Sequence, residues 1–275
     1  MSIKKQYAGF LDSKLLWKSV SLFELSQFDL QISDGFIPNE KELPIQISEN
    51  EVLGKRIEHF FEYFVNSSEN YKIILKNLQI FKDKITIGEL DFLLEDLQRK
   101  QVFHIELIYK FYLYDPKRSE VVLERWIGPN RNDSLLEKVT KLKEKQLPLL
   151  YRSETITTLQ KLDIRPNDIV QKVCFFGNLF VPLSHENKKI SHLNNECIVG
   201  YWIHAEEFTE EKYGSYRYYI PKKKDWITDP THNETWHTFA SISDDLNTEL
   251  TKKKSSLLWI KSNEDNFSKC FIVWW

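Results

Sequence analysis

Cysteine is scarce and scattered. The 275 residues hold three, Cys174, Cys197 and Cys270, far apart, odd in number and without a CxxC pair. That spacing argues against a disulfide framework or a thiolate zinc site and fits a reducing compartment. Glycine is also rare, with eight residues, and none builds a Walker A loop or a GxGxxG turn. No GxSxG nucleophile elbow occurs, so serine-hydrolase chemistry lacks support. The seven histidines form no HExxH or HxxxH; His232 and His237 stand five apart. No run approaches the roughly 20 apolar residues of a membrane span. The start, MSIKKQYAGFLDSKLLWKSV, has neither a continuous apolar stretch nor a small-residue cleavage site. Together these absences read as a cytoplasmic chain with no membrane partner.

What is present is an ordinary globular composition, 41% hydrophobic and 28% charged, enriched in aromatics at 14% with eight Trp. Formal net charge is −2, so any contact with nucleic acid must come from local patches rather than from the whole field.

Along the chain, Leu15 to Leu25 reads as a helical start, followed by an irregular stretch with Asp34-Gly35, Pro38 and Pro44. Ser48 with Glu51 suggests a capping box. Leu53, Ile57, Phe60, Phe61 and Phe64 then recur at helical spacing to about Val65. Tyr71 to Phe81 fits a strand, or a short helix with a strand after it. Lys84 to Leu94 reads as a strand, Glu95 to Lys100 as a charged turn, and Gln101 to Tyr114 as an aromatic-rich strand. Glu120 to Trp126 suggests a short third strand. Asp133 is a plausible N-cap for a helix to about Leu147. Cys174 to Val181 is a buried-type strand, and strand-like runs recur at 197–204, 216–220 and 257–260. The order predicts an α/β sandwich with a mixed sheet. Three regions follow: an extension over 1–49, a core over 50–182, and a β-rich extension over 183–275, separate or within the same domain.

The chemistry concentrates in the hairpin from Gly88 to Lys110. Side chains at i and i+2 share a strand face, so Glu89 pairs with Asp91, and His104, Glu106, Ile108 and Lys110 line up. Two carboxylates brought together within apolar runs repel and lose hydration. A Mg²⁺ or Mn²⁺ ion relieves that repulsion, because hard cations prefer oxygen ligands. It also polarises a phosphate oxygen, while a nearby lysine stabilises developing charge. On pattern alone the alternative is exposed strand carboxylates paired with Lys110 and Lys84.

The order GELDFLL, a short charged turn, then VFHIEL resembles the PD-(D/E)XK nuclease superfamily. LGKRIEHFFEYF (53–64), GELDFLL (88–94), HIELIYKFYL (104–113) and GPNRNDSLLEKVTKLKEKQL (128–147) together resemble a bacterial family, domain of unknown function 1853. GNLFVP, GYWI and the IPKKKDWI region continue the likeness over most of the chain. The resemblance implies a restriction-endonuclease-like α/β/α core over 50–182 and Mg²⁺- or Mn²⁺-dependent hydrolysis of phosphodiester bonds in DNA or RNA. It implies Asp91 and Glu106 as metal ligands, Glu58 as a further acid at the metal, Lys110 as the catalytic lysine, and the Leu107 carbonyl as a completing ligand. The pattern departs in one place. Ile108 holds the Glu-x-Lys slot, and Lys110 lies about 13 Å along the strand from Glu106 at roughly 3.3 Å per residue. His104, or Lys138 arriving from the following helix, are the alternatives; an inactive nuclease-fold binding module is the alternative function.

Asn130, Asp133 and Lys138 surround a helix start, where exposed N–H groups favour a substrate phosphate; the competing reading is an ordinary cap on a solvated helix. Tyr213 to Trp226 interleaves tyrosines with Lys222, Lys223 and Lys224, which fits base stacking beside phosphate charge or a protected strand edge.

Overall fold

The computed structural model describes residues 1–18, 22–30, 43–185, 190 and 192–275. Helix α1, Ile3–Asp12, starts at Ser2, whose hydroxyl accepts from the Lys5 amide at 3.3 Å. Helix α2, Leu53–Asn66, buries Ile57, Phe60, Phe61 and Phe64 along the stripe that its spacing predicts. Strands β1 (Tyr71–Lys82), β2 (Ile85–Asp96) and β3 (Gln101–Tyr114) form an antiparallel meander, with two-residue β4 (Trp126–Ile127) on the end of β3. Helix α3, Leu135–Lys141, runs into a π turn, Leu142–Gln146, and a 3-10 turn, Leu147–Tyr151. Then come α4 (Ser153–Gln160), β5 (Ile169–Pro182), β6 (Ile198–His204), α5 (Glu210–Tyr213), β7 (Arg217–Tyr219), α6 (Phe239–Thr251), β8 (Ser256–Lys261) and β9 (Phe267–Val273).

Among the described residues the strands join one mixed sheet in the order β1-β2-β3-β5-β6-β9-β8-β7. Four consecutive members, β3, β5, β6 and β9, are parallel. The strands after residue 183 extend the sheet of the 50–182 region rather than opening a second one. Alternation sorts the side chains into two layers. Phe92, Phe103, Ile105, Phe111 and Phe176 pack with α1 and α2. Ile108, Tyr112, Val173 and Phe175 pack with Leu135, Val139 and Leu142 on the opposite side. The result is the α/β class expected, with helices covering both faces. Among the described residues no helix is long and apolar enough to cross a membrane.

Several local expectations are corrected. Residues 15–18 and 22–30 are not a helix: Leu15 and Gln27 bridge to β5, and only Leu22–Glu24 make a 3-10 turn. Asp34-Gly35 and Pro38 lie outside the described residues. Ser48 and Glu51 form a turn, not a cap. Val52 is the N-cap, and the carbonyls of Ser48, Glu49 and Glu51 are taken by the buried Arg56 guanidinium. Glu120 to Trp126 is largely a 3-10 turn, Val122–Arg125. Ser134, not Asp133, caps α3, in a reciprocal box with Glu137.

Candidate active site

The ladder opens around Asp91. Pairing of β1 with β2 passes from Lys76↔Phe92 to Leu78↔Leu90, leaving out Asn77, whose φ of 51° takes it out of extended geometry. Pairing of β2 with β3 stops at Phe92↔Ile105. Beyond that point the Leu107 amide donates not to a backbone carbonyl but to Asp91 Oδ2, at 2.9 Å. The aspartate therefore replaces a ladder acceptor, and this fixes it beside Glu106. Backbone strain and broken pairing of this kind gather at functional sites.

Glu106 is fully buried, as is His104. Its Oε1 accepts from His104 Nε2 at 3.1 Å, and its Oε2 accepts a short hydrogen bond from Gln146 Nε2. Gln171 Nε2 donates to His104 Nδ1 at 3.0 Å and to the Leu147 carbonyl at 2.7 Å. An amide nitrogen can only donate, so His104 accepts at Nδ1 and carries its proton on Nε2, aimed at Glu106. A carboxylate offers about four acceptor positions, so two bonds leave room for a further ligand.

Asp91 is half-buried, and its carboxyl is pushed up to about 7 by burial, then by the adjacent Glu106 charge; the Leu107 bond opposes both. Lys138 faces both acids, whereas Lys55 on α2 faces Asp91 with Glu58 and Glu89. The Lys138 Nζ donates to Gln146 Oε1 at 2.8 Å, and burial brings its pKa down to about 8 against the pull of Glu106. The π turn explains how α3 supplies both groups. Eight residues of continuous α-helix would leave Gln146 about 80° around the axis from Lys138. The wider turn absorbs the difference and brings the two side chains together. Such turns recur where function requires them.

Other expected residues go elsewhere. Lys110 forms an ion pair with Asp133 Oδ2 at 2.6 Å, both side chains half exposed. Asp133 also closes the turn before α3, where a Cβ on Gly128 would lie 2.1 Å from Asp133 Oδ1. Asn130 Oδ1 accepts from the Ser255 amide at 2.8 Å and ties the turn to the C-terminal strands. Glu58 sits on α2 across the opening. It holds Lys55 at 2.8 Å and Asn77 Nδ2 at 3.1 Å, and its charge contributes to the rise at Asp91. Glu89 lies 3.9 Å from Lys55. Among the described residues no three His, Cys, Asp or Glu side chains converge as a metal cluster; the acids that come together are two. Gln146, Gln171 and the role of His104 as a donor to Glu106 were not found from sequence, because glutamines in a helix and a strand carry no signal of their own. The Lys222–Lys224 run is remote: Lys224 meets Glu49, and all three lysines line a groove with residues 49–54.

No curated protein and no solved structure matches the chain. One family model does, over residues 35–272, with the acid pair, Lys138 and the sheet up to Ile272 inside the match. The chain belongs to the family described as Domain of unknown function (DUF1853).

Proposed function

We propose that this chain is a Mg²⁺- or Mn²⁺-dependent nuclease of PD-(D/E)XK type, hydrolysing phosphodiester bonds of DNA or RNA at Asp91 and Glu106. The observation that carries this reading is the repulsive pair itself: Asp91 held by the Leu107 amide beside a buried Glu106, with its carboxyl pushed up to about 7. Two carboxylates kept together at a break in a sheet repel, beyond what their hydrogen bonds to Leu107, His104 and Gln146 require. The helix, antiparallel meander, helix and parallel strand from α2 to β5, layered on both faces, agree with the core that the motif resemblance implies.

The donor set fits the ion. Mg²⁺ commonly takes one or two protein carboxylates and completes its shell with water and substrate phosphate. Asp91 Oδ1 and the remaining acceptor positions of Glu106 would hold it, with Glu58 across the opening as an outer acid. A bound divalent ion would polarise the phosphate and make a water easier to deprotonate. The chain's own residues do the rest. His104 and Gln146 hold Glu106 oriented. Lys138, already lowered to about 8, exchanges a proton near neutral pH beside the acid pair, the role that the resemblance implies for Lys110.

The test is cleavage of single- and double-stranded DNA and RNA with Mn²⁺ by wild type and by Asp91→Asn. Metal-dependent cleavage lost in the variant supports the reading; cleavage that survives the substitution excludes the site.

A further inference from the structure

A cleft of about 970 Å³ opens at the other end of the sheet. It lies at the carboxyl ends of all four parallel strands. Asp115 follows β3, Pro182 ends β5, His204 ends β6 and Trp275 follows β9. In open α/β sheets the crevice outside the carboxyl ends of parallel strands is where ligands bind. Its volume is that of a site for a small molecule. Nine residues of extended chain separate Asp115 from Glu106, about 30 Å at 3.3 Å per residue, so the cleft is distinct from the acid pair.

Its walls are aromatic and its rim is cationic. Trp202 and Trp275 lie 5.0 Å apart, with His204 at 5.1 Å and 6.0 Å from them, and Tyr213 completes the lining. Arg131 stacks over Trp275 at 4.6 Å and reaches Asp115 at 3.3 Å. It does so from left-handed backbone, φ 61°, a conformation that costs an arginine free energy and here aims its guanidinium into the cleft wall. Lys117, Arg118 and Lys212 are exposed at the rim, and among the described residues no carboxylate pairs with them. The lining also holds two carboxylates, Asp115, which pairs with Arg131, and Glu207, which accepts from the His204 amide, against four cationic side chains.

We propose that this cleft binds a nucleotide unit, its base against the Trp202, Tyr213 and Trp275 rings and its phosphate against Lys117, Arg118 and Lys212. Aromatic rings offer a face to any base, and rim cations take the anion without reading sequence. The cleft is independent of the reading proposed for Asp91 and Glu106.

The experiment is a binding titration at low salt with two probes, adenosine monophosphate by calorimetry and a fluorescein-labelled hexanucleotide by polarisation. The full chain is used as wild type, Lys117→Glu/Arg118→Glu, Trp275→Leu and Trp275→Phe, each checked for an unchanged circular dichroism spectrum. Saturable binding is expected, weakened tenfold or more by the charge reversal and by Trp275→Leu, and restored to within about threefold in Trp275→Phe. Saturation by the mononucleotide identifies a free nucleotide as ligand; saturation by the hexanucleotide alone identifies an unpaired strand. Either supports the proposal. Failure of both probes to bind wild type overturns it, as does affinity unchanged in the charge reversal. Displacement by inorganic pyrophosphate as effective as by nucleotide also overturns it, since the rings then contribute nothing.

Discussion

The middle of β3 and the segment past its end make opposite use of charge. Near its middle, Glu106 is buried beside Asp91 and accepts from His104 and Gln146. Past its end, Lys117 and Arg118 stand in solvent beside an aromatic wall, and among the described residues neither forms an ion pair. The first arrangement is expensive to keep and specific in geometry; the second is cheap and adaptable. A buried like-charged pair is informative because folding alone selects against it. An open cationic rim is informative only together with the rings it surrounds.

Four changes would break or sharpen this contrast. The largest effect belongs to Lys138. If cleavage is observed, Lys138→Met should lower kcat by about 10²-fold or more, the usual scale for a positioned proton-transfer group, as read by initial rates. Next is Glu106→Ala. It leaves His104 Nε2 and Gln146 Nε2 buried without their acceptor, and should destabilise the fold by about 2–4 kcal/mol in urea unfolding.

Asp91→Asn should do the reverse. Its carboxyl titrates about 7 in the folded chain, against about 4 when unfolded. Below pH 4 both states hold the proton and the site costs nothing. Between pH 4 and 7 the unfolded chain releases it first, so the folded state is penalised, and the penalty is complete above pH 7. Asn keeps an acceptor for the Leu107 amide, so the variant should be more stable by about 1–3 kcal/mol at pH 8, with the gain vanishing toward pH 4. Thermal unfolding across that range reads it; no gain at pH 8 would mean that the pair is not repulsive.

The smallest effect is expected at Lys110→Ala. Its partner Asp133 is half exposed, and such pairs contribute about 0–1 kcal/mol, so stability and cleavage should change little. A loss of activity matching that of Lys138→Met would return the catalytic lysine to the strand.

Much of the first region was legible in the sequence because it is local. Strand alternation places Asp91 and Glu106 on one face, and β3 has the bounds its pattern predicts, Gln101–Tyr114. The lysine was not fixed that way. Two residues of extra spacing moved Lys110 toward Asp133, and Lys138 reaches the acids only because Leu142–Gln146 widens into a π turn, which no residue type announces. Helix α1 was missed because it is short and its buried apolar residues, Tyr7, Phe10 and Leu11, span little more than one turn. β9, Phe267–Val273, was missed although Ser262 to Asn266 is a run of turn-forming residues just before it. The cleft was invisible for a different reason: its walls come from four strand ends spread between residues 115 and 275, and only the parallel pairing brings them together.

The central claim, that the Asp91–Glu106 pair exists to hold a divalent cation, is tested most directly by calorimetric titration of Mn²⁺ at pH 8 into wild type and Asp91→Asn. One site with submillimolar affinity in wild type, lost in a variant that is folded and more stable, is the predicted result. No binding to wild type, or equal binding to both, would contradict it.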